Sequence, residues 1–457
     1  MNRTRHIILS SFLLLVFITG CRTSEAKDKF LAIQEVKGKS GVTAWLVEDH
    51  ALPIISMTFA FRGAGAAGDA ADKQGLAQLA SNTMDEGAGD IDSQTFQKTL
   101  TDNSISLSFS SGRDDFQGSL YTLTRTKDTA FHLLQLALTK PRFDPEAVGR
   151  MKAANITRLR SSLTDPDWMA ARIMNDIAFA GHPYAQNSGG TLTSIPAITP
   201  EDLRNFVATR LARNNLVVTI TGDIGAKELS KILDSVFGEL PEKAALPAVA
   251  DLNVQGGGQV ALYNKDIPQT IISIMQPGIG RDNPDYHAYQ VMNFIFGGSG
   301  FGSRLMVEVR EKRGLTYGIY SGFYLLDHLK GLSISTSTEN KNTGEILSIT
   351  RQEMEKMMKE PVTDTELADA KSYLIGSMPL SLTSSGKISA LMLSLRQDNL
   401  PIDYLDNVDD KINAVTKEDI LRVAQKYLQP ASLTTVLVGK PEGITPTKTV
   451  DTLPNVE

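Results

Sequence analysis

The feature that most constrains the fold is an internal repeat. Segments 198–222 and 415–439 have the same layout: an apolar residue, Thr, one variable residue, Glu-Asp, a helical pattern, and a strand-like run closed by Gly. Gly439 stands 217 positions after Gly222, and the same distance separates Ile54 from Ile271, each within an apolar run. Because the start and the end of one unit both recur, the chain is predicted to be a tandem duplication.

Each copy mixes strand and helix signals. In the first copy, β-rich runs at 42–61 and 104–123 precede helical periodicity at 129–139, 145–162 and 166–179, and a strand closes the unit. This order predicts an α+β fold with two homologous domains, each a mixed sheet with helices. Thr199 and Thr416 each precede an Asp by three residues, which predicts a capping box at a helix start. The predicted domains are 41–238 and 259–441, joined by a Pro- and Gly-containing linker at 239–258 and followed by a tail at 442–457.

The N-terminus has the pattern of an export signal. Arg3 and Arg5 precede a short apolar run at 7–19, and the segment Ile-Thr-Gly-Cys that ends at Cys21 resembles a bacterial lipobox. Cys21 is the one cysteine in the chain. We therefore predict lipidation at Cys21, with an ordinary cleaved signal as the alternative.

This reading places the protein outside the cytoplasm. Residues 1–21 would be the lipoprotein signal peptide and 22–40 a tether, with the protein anchored through lipid on the periplasmic side. Arg22 follows the cysteine where retention in the inner membrane would favour Asp, so we expect the outer membrane.

Composition excludes several classes of site. A formal charge of −6 with no basic patch argues against nucleic-acid binding. With Cys21 used by the anchor, the domains have no disulfide and no thiolate ligand for a metal. The histidines are scattered singly without metal-binding spacing: His6, His50, His132, His182, His287 and His328.

One motif in the first copy resembles the active-site helix of the pitrilysin/insulinase family, the inverted zincins with the signature H-x-x-E-H. The resemblance rests on Arg-Gly-Ala-Gly at 62–65 and on the helical segment 75–84. It places the two zinc-ligand histidines at Gln78 and Asn82 and the catalytic glutamate at Ser81. Carboxamides are poor zinc ligands, and a serine hydroxyl cannot act as the general base.

The family's third zinc ligand, a glutamate, is expected near 151–160. No glutamate occurs between Ala147 and Pro200. The resemblance therefore implies a zinc-less chain with no catalytic residue and no metal of its own, and an independent peptidase is disfavoured.

A second motif resembles the family's other signature. Segment 296–305 is glycine-rich and leads into segment 307–317. Such glycines can cradle a phosphate, but phosphate loops follow a strand, and residues 284–296 have a helical pattern. We therefore predict a flexible loop that permits a swinging helix or a close backbone approach. Its glycines are Gly297, Gly298, Gly300 and Gly302.

Arg310 and Tyr317 match the arginine and tyrosine that, in active members of the family, reach a peptide bound at the zinc of the other half. The resemblance thus implies substrate binding by both residues. Their chemistry suits this role, because a guanidinium can bind a carbonyl or carboxylate and a phenol can donate to an oxyanion. The alternative is a solvated helix charge and a half-buried aromatic. Arg313 and Tyr320 are the spare candidates.

The resemblance implies a function in a pair. The chain is similar to the non-catalytic subunit of two-chain bacterial members and of the mitochondrial processing peptidase. We expect it to bind peptides or unfolded polypeptides beside a zinc-bearing subunit of the same family, which would carry H-x-x-E-H and the zinc. The alternatives are a non-enzymatic scaffold of the same fold and a peptide-binding lipoprotein that works alone, neither of which needs such a partner.

Overall fold

The computed structural model describes residues 29–457. The predicted signal peptide and Cys21 lie outside these residues. Among the residues described, no helix is both long and apolar enough to cross a membrane.

Twelve strands form two sheets of six strands in this part of the chain. The first sheet has the order β1-β2-β6-β3-β5-β4 and the second has β12-β7-β11-β8-β10-β9. The strands of the first sheet are β1 (Gln34–Lys37), β2 (Thr43–Glu48), β3 (Ile54–Phe61), β4 (Ser106–Ser111), β5 (Phe116–Leu123) and β6 (Leu216–Gly222). Those of the second are β7 (Val260–Asn264), β8 (Gln269–Pro277), β9 (Ile319–Leu326), β10 (Leu329–Glu339), β11 (Thr434–Gly439) and β12 (Lys448–Thr449).

Five strands of one sheet correspond to five of the other. Among these five strands, one neighbouring pair is parallel in each sheet, β2 with β6 and β7 with β11, and the next three pairs are antiparallel. The sheets differ at one edge, where β1 is antiparallel to β2 but β12 is parallel to β7. The predicted α+β fold with two duplicated mixed-sheet domains is confirmed.

Fourteen α-helices of residues 29–457 cover these sheets. Thr199 and Thr416 each cap a helix with Asp202 and Asp419 as the reciprocal partners, which confirms both predicted capping boxes. The first half contains α1 (Leu76–Ser81), α2 (Ser93–Asp102), α3 (Lys127–Thr139), α4 (Pro145–Ser162), α5 (Pro166–Ala178), α6 (Ser194–Ala197), α7 (Pro200–Arg210) and α8 (Ala226–Phe237). The second contains α9 (Tyr286–Asn293), α10 (Thr343–Lys359), α11 (Asp364–Gly376), α12 (Ser385–Gln397), α13 (Val408–Ala414) and α14 (Lys417–Tyr427).

The two domains exchange helices. Helix α5 from the first half packs on β8 and β11, whereas α12 from the second half packs on β3 and β6. Ile173 of α5 shares one apolar cluster with Met275 and Val436 of the second sheet. On the other sheet, the Thr219 hydroxyl donates to the backbone carbonyl of Ser389 in α12 at 2.8 Å. Each domain therefore completes the core of the other.

The linker and the tail are held by both domains. The carbonyl of Pro241 accepts from the amide of Arg213 of the first domain at 2.9 Å, and the amide of Leu252 donates to the carbonyl of His328 of the second domain at 2.8 Å. Near the C-terminus, the carbonyl of Val456 accepts from the amide of Leu192 at 2.9 Å. The tail thus starts as a strand of the second sheet and finishes against the first domain.

A variant at Arg396 of α12 tests how much the exchange of helices between the domains contributes to stability. Its guanidinium donates to the carbonyls of Thr43 and Val218 at 3.1 and 2.8 Å, and it lies over the Trp45 ring at 5.6 Å. We expect Arg396→Met to lower the free energy of unfolding by about 1.5 to 3 kcal/mol, because two partly buried carbonyls lose a charged donor. Urea unfolding is the measurement, and Lys387→Met at an exposed position of the same helix is the control. Equal losses in the two variants would contradict this assignment.

Candidate functional site

Helix α1 and its C-cap residue, Asn82, carry the residues at the positions of the zinc signature. The helix begins after Gly75, whose φ is +86° and where a Cβ would lie 2.7 Å from the Cα of Gly190, so only glycine fits there. The carboxylate of Asp69 accepts from the amide of Ala77 at 3.2 Å in the first turn. Asp69 is in turn paired with Arg210 of α7 at 2.9 Å. These contacts fix the direction in which α1 presents its side chains.

The side chains of Gln78, Asn82 and Asn155 converge on one point, and we call them the carboxamide cluster. Gln78 Nε2 donates to Asn82 Oδ1 at 3.0 Å, and Asn82 Nδ2 donates to Asn155 Oδ1 at 2.7 Å. The hydroxyl of Ser81 donates to the carbonyl of Gln78 at 2.8 Å. The three sequence-predicted positions on α1 thus form one hydrogen-bonded group with a residue of α4.

Asn155 is the residue that the sequence interpretation did not single out. It lies within the stretch 151–160, where the family's glutamate was expected, and it is 4% exposed. It could have been found, because it is the one residue of that stretch with a carboxamide or carboxyl group. The buried face of α4 also contains Val148 and Leu159, seven residues before and four after Asn155, which is helical spacing.

The donor set of this cluster does not fit zinc. Zinc sites in proteins use imidazole, thiolate or carboxylate ligands, whereas these carboxamides bind one another. Within residues 29–457, no group of three or more His, Cys, Asp or Glu side chains is placed to hold a metal ion. No catalytic step on this chain can be assigned to a metal at this place.

Restoring the ligands tests the geometry of the cluster. We expect the triple variant Gln78→His, Asn82→His, Asn155→Glu to bind one zinc ion per chain, because the three side chains already meet at one point. Zinc content after dialysis and the visible spectrum of the cobalt form are the measurements. A variant with Asn175→Glu instead of Asn155→Glu is the control. A folded triple variant without metal would show that Asn155 does not occupy the third-ligand position.

The glycine-rich loop connects two helical segments. Helix α9 continues into a π-helical turn at Phe294–Gly298, in which the amide of Ser299 donates to the carbonyl of Phe294 at 3.1 Å. After a 3₁₀ turn at Gly300–Gly302, a second π-helical segment spans Met306–Glu311. A helix therefore precedes the loop, as predicted. Short π-helical turns often occur at functional sites.

The glycines of this loop serve different purposes. A Cβ at Gly297 would lie 2.5 Å from Ser321 Oγ, so close packing against β9 excludes a larger residue there. Gly300 has φ +69°, a conformation that favours glycine, and a Cβ there would have no neighbour within 4 Å. Gly298 closely approaches Asn293, and Gly302 has only the distant Ser299 hydroxyl nearby.

The side chains of Arg310 and Tyr317 make no hydrogen bond or ion pair with residues 29–457. The guanidinium of Arg310 lies over the ring of Phe301 at 4.4 Å, and in the described part of the chain it has no hydrogen bond or ion pair. Tyr317 is 87% exposed, and its phenol meets no hydrogen-bond partner among residues 29–457. Phe301 is itself 64% exposed. Arg310 and Phe301 therefore form one cation–π contact, which we call the Arg310 patch, and Tyr317 is exposed seven residues further along the chain.

The spare candidates differ from these residues. Arg313 donates to the Glu308 carboxylate at 2.7 Å, and Lys312 donates to the same group at 2.5 Å. These two bonds hold the pKa of Glu308 at about 2. Tyr320 lies against the backbone of Gly318. Arg313 is thus already neutralised within the chain, whereas Arg310 is available to a ligand.

The carboxamide cluster and the Arg310 patch belong to different domains. Cluster residues come from α1 and α4, and patch residues lie beside the glycine-rich loop. In residues 29–457, no hydrogen bond, ion pair or ring contact joins them.

Comparisons with known proteins agree with this geometry. A family profile described as "Peptidase M16 inactive domain" matches residues 197–374. A Helicobacter pylori protein named "Non-peptidase homolog YmxG" is 29% identical over 86% of this chain and 90% of its own length. Subunit beta of a mitochondrial-processing peptidase from Lentinula edodes is 25% identical over 59% of this chain and 61% of its own. The crystal structure of a peptidase M16 inactive domain from Pseudomonas fluorescens superposes with a TM-score of 0.84, is 28% identical, and covers 91% of this chain and 100% of its own.

Proposed function

The chain belongs to the peptidase M16 family, that of the pitrilysin/insulinase resemblance, and is of its inactive type; from this premise we propose that it is the substrate-binding subunit of a two-chain zinc peptidase. One observation carries the proposal. A chain whose zinc ligands are replaced by carboxamides keeps an exposed Tyr317 and a half-buried Arg310, and neither side chain has a polar partner in the described part of the chain.

The chemistry of the proposed pair is divided between two chains. The partner would carry H-x-x-E-H, bind zinc, and use its glutamate to activate the attacking water. Arg310 would bind a carbonyl or carboxylate of the peptide through its forked donors. Tyr317 would donate a hydrogen bond to the oxyanion that forms as water attacks. The substrate would be a peptide or an unfolded polypeptide, since both groups recognise main-chain chemistry.

A scaffold of the same fold is the second candidate. The name of the H. pylori relative, a non-peptidase homologue, favours it. A scaffold would need neither an exposed phenol nor a guanidinium without an ionic partner. It therefore gives no reason for the state of Arg310 and Tyr317, and we place it second.

Isolation of the native assembly tests the proposal. We would tag the chain at its C-terminus in its own host, solubilise it mildly, and identify the proteins that co-purify. The proposal expects a chain with an intact H-x-x-E-H at near-equal amount, one zinc per pair, and peptide hydrolysis by the pair but by neither chain alone. A clean homo-oligomer without zinc or hydrolysis would favour the scaffold.

The proposed site of action is the periplasmic side of the outer membrane, through a lipid at Cys21. We expect Cys21→Ala to carry no lipid and to keep its signal peptide, because the cleavage that a lipobox directs depends on the modified cysteine. Mass spectrometry of the N-terminal peptide and fractionation are the measurements, and Ser24→Ala in the tether is the control. A parent chain whose N-terminal peptide begins at Cys21 without a lipid would contradict lipid anchoring.

A further inference from the structure

A cavity of about 280 Å³ lies beside the carboxamide cluster and is lined by three arginines: Arg113, Arg158 and Arg172. Among the thirteen residues that line it, none is Asp or Glu. Arg158 is exposed at the rim, whereas Arg172 is 3% exposed at the base. We call this space the arginine cavity. Its positive lining stands out in a chain whose formal net charge is −6.

None of these arginines has a carboxylate partner in the described chain. Arg113 donates to the carbonyl of Tyr184 at 3.3 Å and to the hydroxyl of Tyr324 at 2.9 Å. Arg172 donates to the backbone carbonyls of Gln186 and Ala185. Neutral acceptors therefore position these two guanidinium groups and leave their charges uncompensated.

Electrostatics show that the charges act on each other. Burial, followed by the charge of Arg113, lowers the pKa of Arg172 to about 10, and Asp176 only partly offsets this. An anion placed between the two groups would relieve both desolvation and repulsion. A bound carboxylate is the ligand that forked arginine donors match best in geometry, together with phosphate.

Two buried donors lack acceptors. Asn155 Nδ2 and Arg172 Nε are buried and have no hydrogen-bond partner within residues 29–457. Both belong to residues that line the cavity. Because an unmet buried donor costs about 1 to 3 kcal/mol, such groups are usually met by a ligand or by water. The same space has an apolar wall at Trp168 and further carboxamides, among them Asn187.

From this arrangement we propose that the arginine cavity binds the carboxylate of a short peptide segment. The guanidinium groups would take the carboxylate, the carboxamides would pair with peptide amides, and the Trp168 face would contact a side chain. A space of this size holds the end of a peptide rather than a long stretch of it. This site is distinct from Arg310 and Tyr317, and binding to it needs no partner subunit. It can therefore fail or succeed independently of the proposed peptidase function.

Calorimetric titration of the full chain tests the proposal. The probes are acetyl-Ala-Ala-Phe with a free C-terminus, the same peptide as its amide, acetyl-Ala-Glu-Phe-amide, and inorganic phosphate. We expect the free acid to bind and its amide to bind at least about tenfold more weakly, since the amide has no charge for the arginines. If the Glu-containing amide binds, the cavity recognises the carboxylate of an acidic side chain. If that peptide does not bind while the free acid does, the cavity recognises the carboxylate of a C-terminus.

Variants locate the binding. We expect Arg158→Ala at the exposed rim and Arg113→Met each to weaken binding of the free-acid peptide by about tenfold or more. Arg160→Ala is the control, because Arg160 lies on the same helix as Arg158 but outside the cavity lining, and it should leave this binding unchanged. Arg172→Met serves as a second test only if its circular dichroism is that of the parent. Equal binding of acid and amide, phosphate binding as tight as the peptide acid, or unchanged binding by Arg158→Ala would overturn the proposal.

Discussion

Replacing both Arg310 and Tyr317 by alanine is expected to lower kcat/KM of the assembled pair by at least about 10²- to 10³-fold. Loss of one preorganised oxyanion donor costs a factor of this size, and Arg310 adds the loss of substrate binding. The measurement is hydrolysis of an unfolded polypeptide by the reconstituted pair. Since Tyr317 is 87% exposed and the Arg310 guanidinium has no hydrogen bond or ion pair in the described chain, we expect the melting temperature to stay within a degree or two.

Single variants separate the two roles. Tyr317→Phe removes only the hydroxyl and should lower kcat with little change in KM, because the oxyanion forms only in the transition state. Arg310→Ala should act more on KM, since the peptide carbonyl is present in the ground state as well. Arg313→Ala and Tyr320→Phe are the matched controls and should remain within a few-fold of the parent. Full hydrolytic activity of the assembly that contains the double variant Arg310→Ala, Tyr317→Ala would refute the substrate-binding role.

The largest expected loss of stability follows from Arg210→Met. Arg210 pairs with Asp69 at 2.9 Å, donates to the carbonyl of Gly68 at 2.7 Å, and lies over the Phe206 ring at 4.9 Å. The Asp69 side chain is 1% exposed. Removing the cation would leave a buried carboxylate without its partner, which costs about 3 to 5 kcal/mol. Urea unfolding at pH 7.5 measures the loss.

The matched control is Arg204→Met on the same helix, where the side chain is exposed; we expect a change within about 0.5 kcal/mol. Similar losses in Arg204→Met and Arg210→Met would contradict the importance of the buried pair. The double variant Asp69→Asn, Arg210→Met should recover part of the stability, because the buried group is then neutral.

The loss in Arg210→Met should also depend on pH. Burial raises the pKa of Asp69 to about 6 even though Arg210 opposes the shift, so the pKa should rise further in the variant. A carboxyl whose pKa is higher in the folded state contributes stability below its unfolded pKa of 3.8 and loses that contribution as pH rises through the folded value. The deficit of Arg210→Met should therefore be smaller at pH 5 than at pH 7.5.

The ion pair between Asp69 and Arg210 also affects the position of the carboxamide cluster. Asp69 also accepts a hydrogen bond from the amide of Ala77, at the start of the helix that carries Gln78 and Asn82. Arg210 thus acts on the carboxamide cluster by positioning α1, not by direct contact with the cluster. The stability of the first domain and the geometry of the cluster share one ion pair.

Local patterns determined most of the fold class. The recurrence at 217 residues gave the duplication, and the Thr and Asp spacing gave both capping boxes, because a cap is formed by residues only three positions apart. The absence of H-x-x-E-H at 78–82 could also be read directly, because Gln78, Ser81 and Asn82 lie within five consecutive residues. The caps and the zinc signature are each defined by residues close together in the chain, and the repeat is found by comparing two such local segments.

Tertiary structure decided the features that join distant residues. The hydrogen bond from Asn82 to Asn155 spans 73 positions, and the bond from Thr219 to Ser389 in the exchanged helix spans 170. Arg113 reaches the arginine cavity from a loop before β5, while Arg172 reaches it from α5. A helical or strand period reports which face of an element is buried, but not which other element covers it. The contact of Asn155 with Asn82, the packing of α12 on the first sheet and the meeting of the three arginines in one cavity therefore follow only from packing in three dimensions.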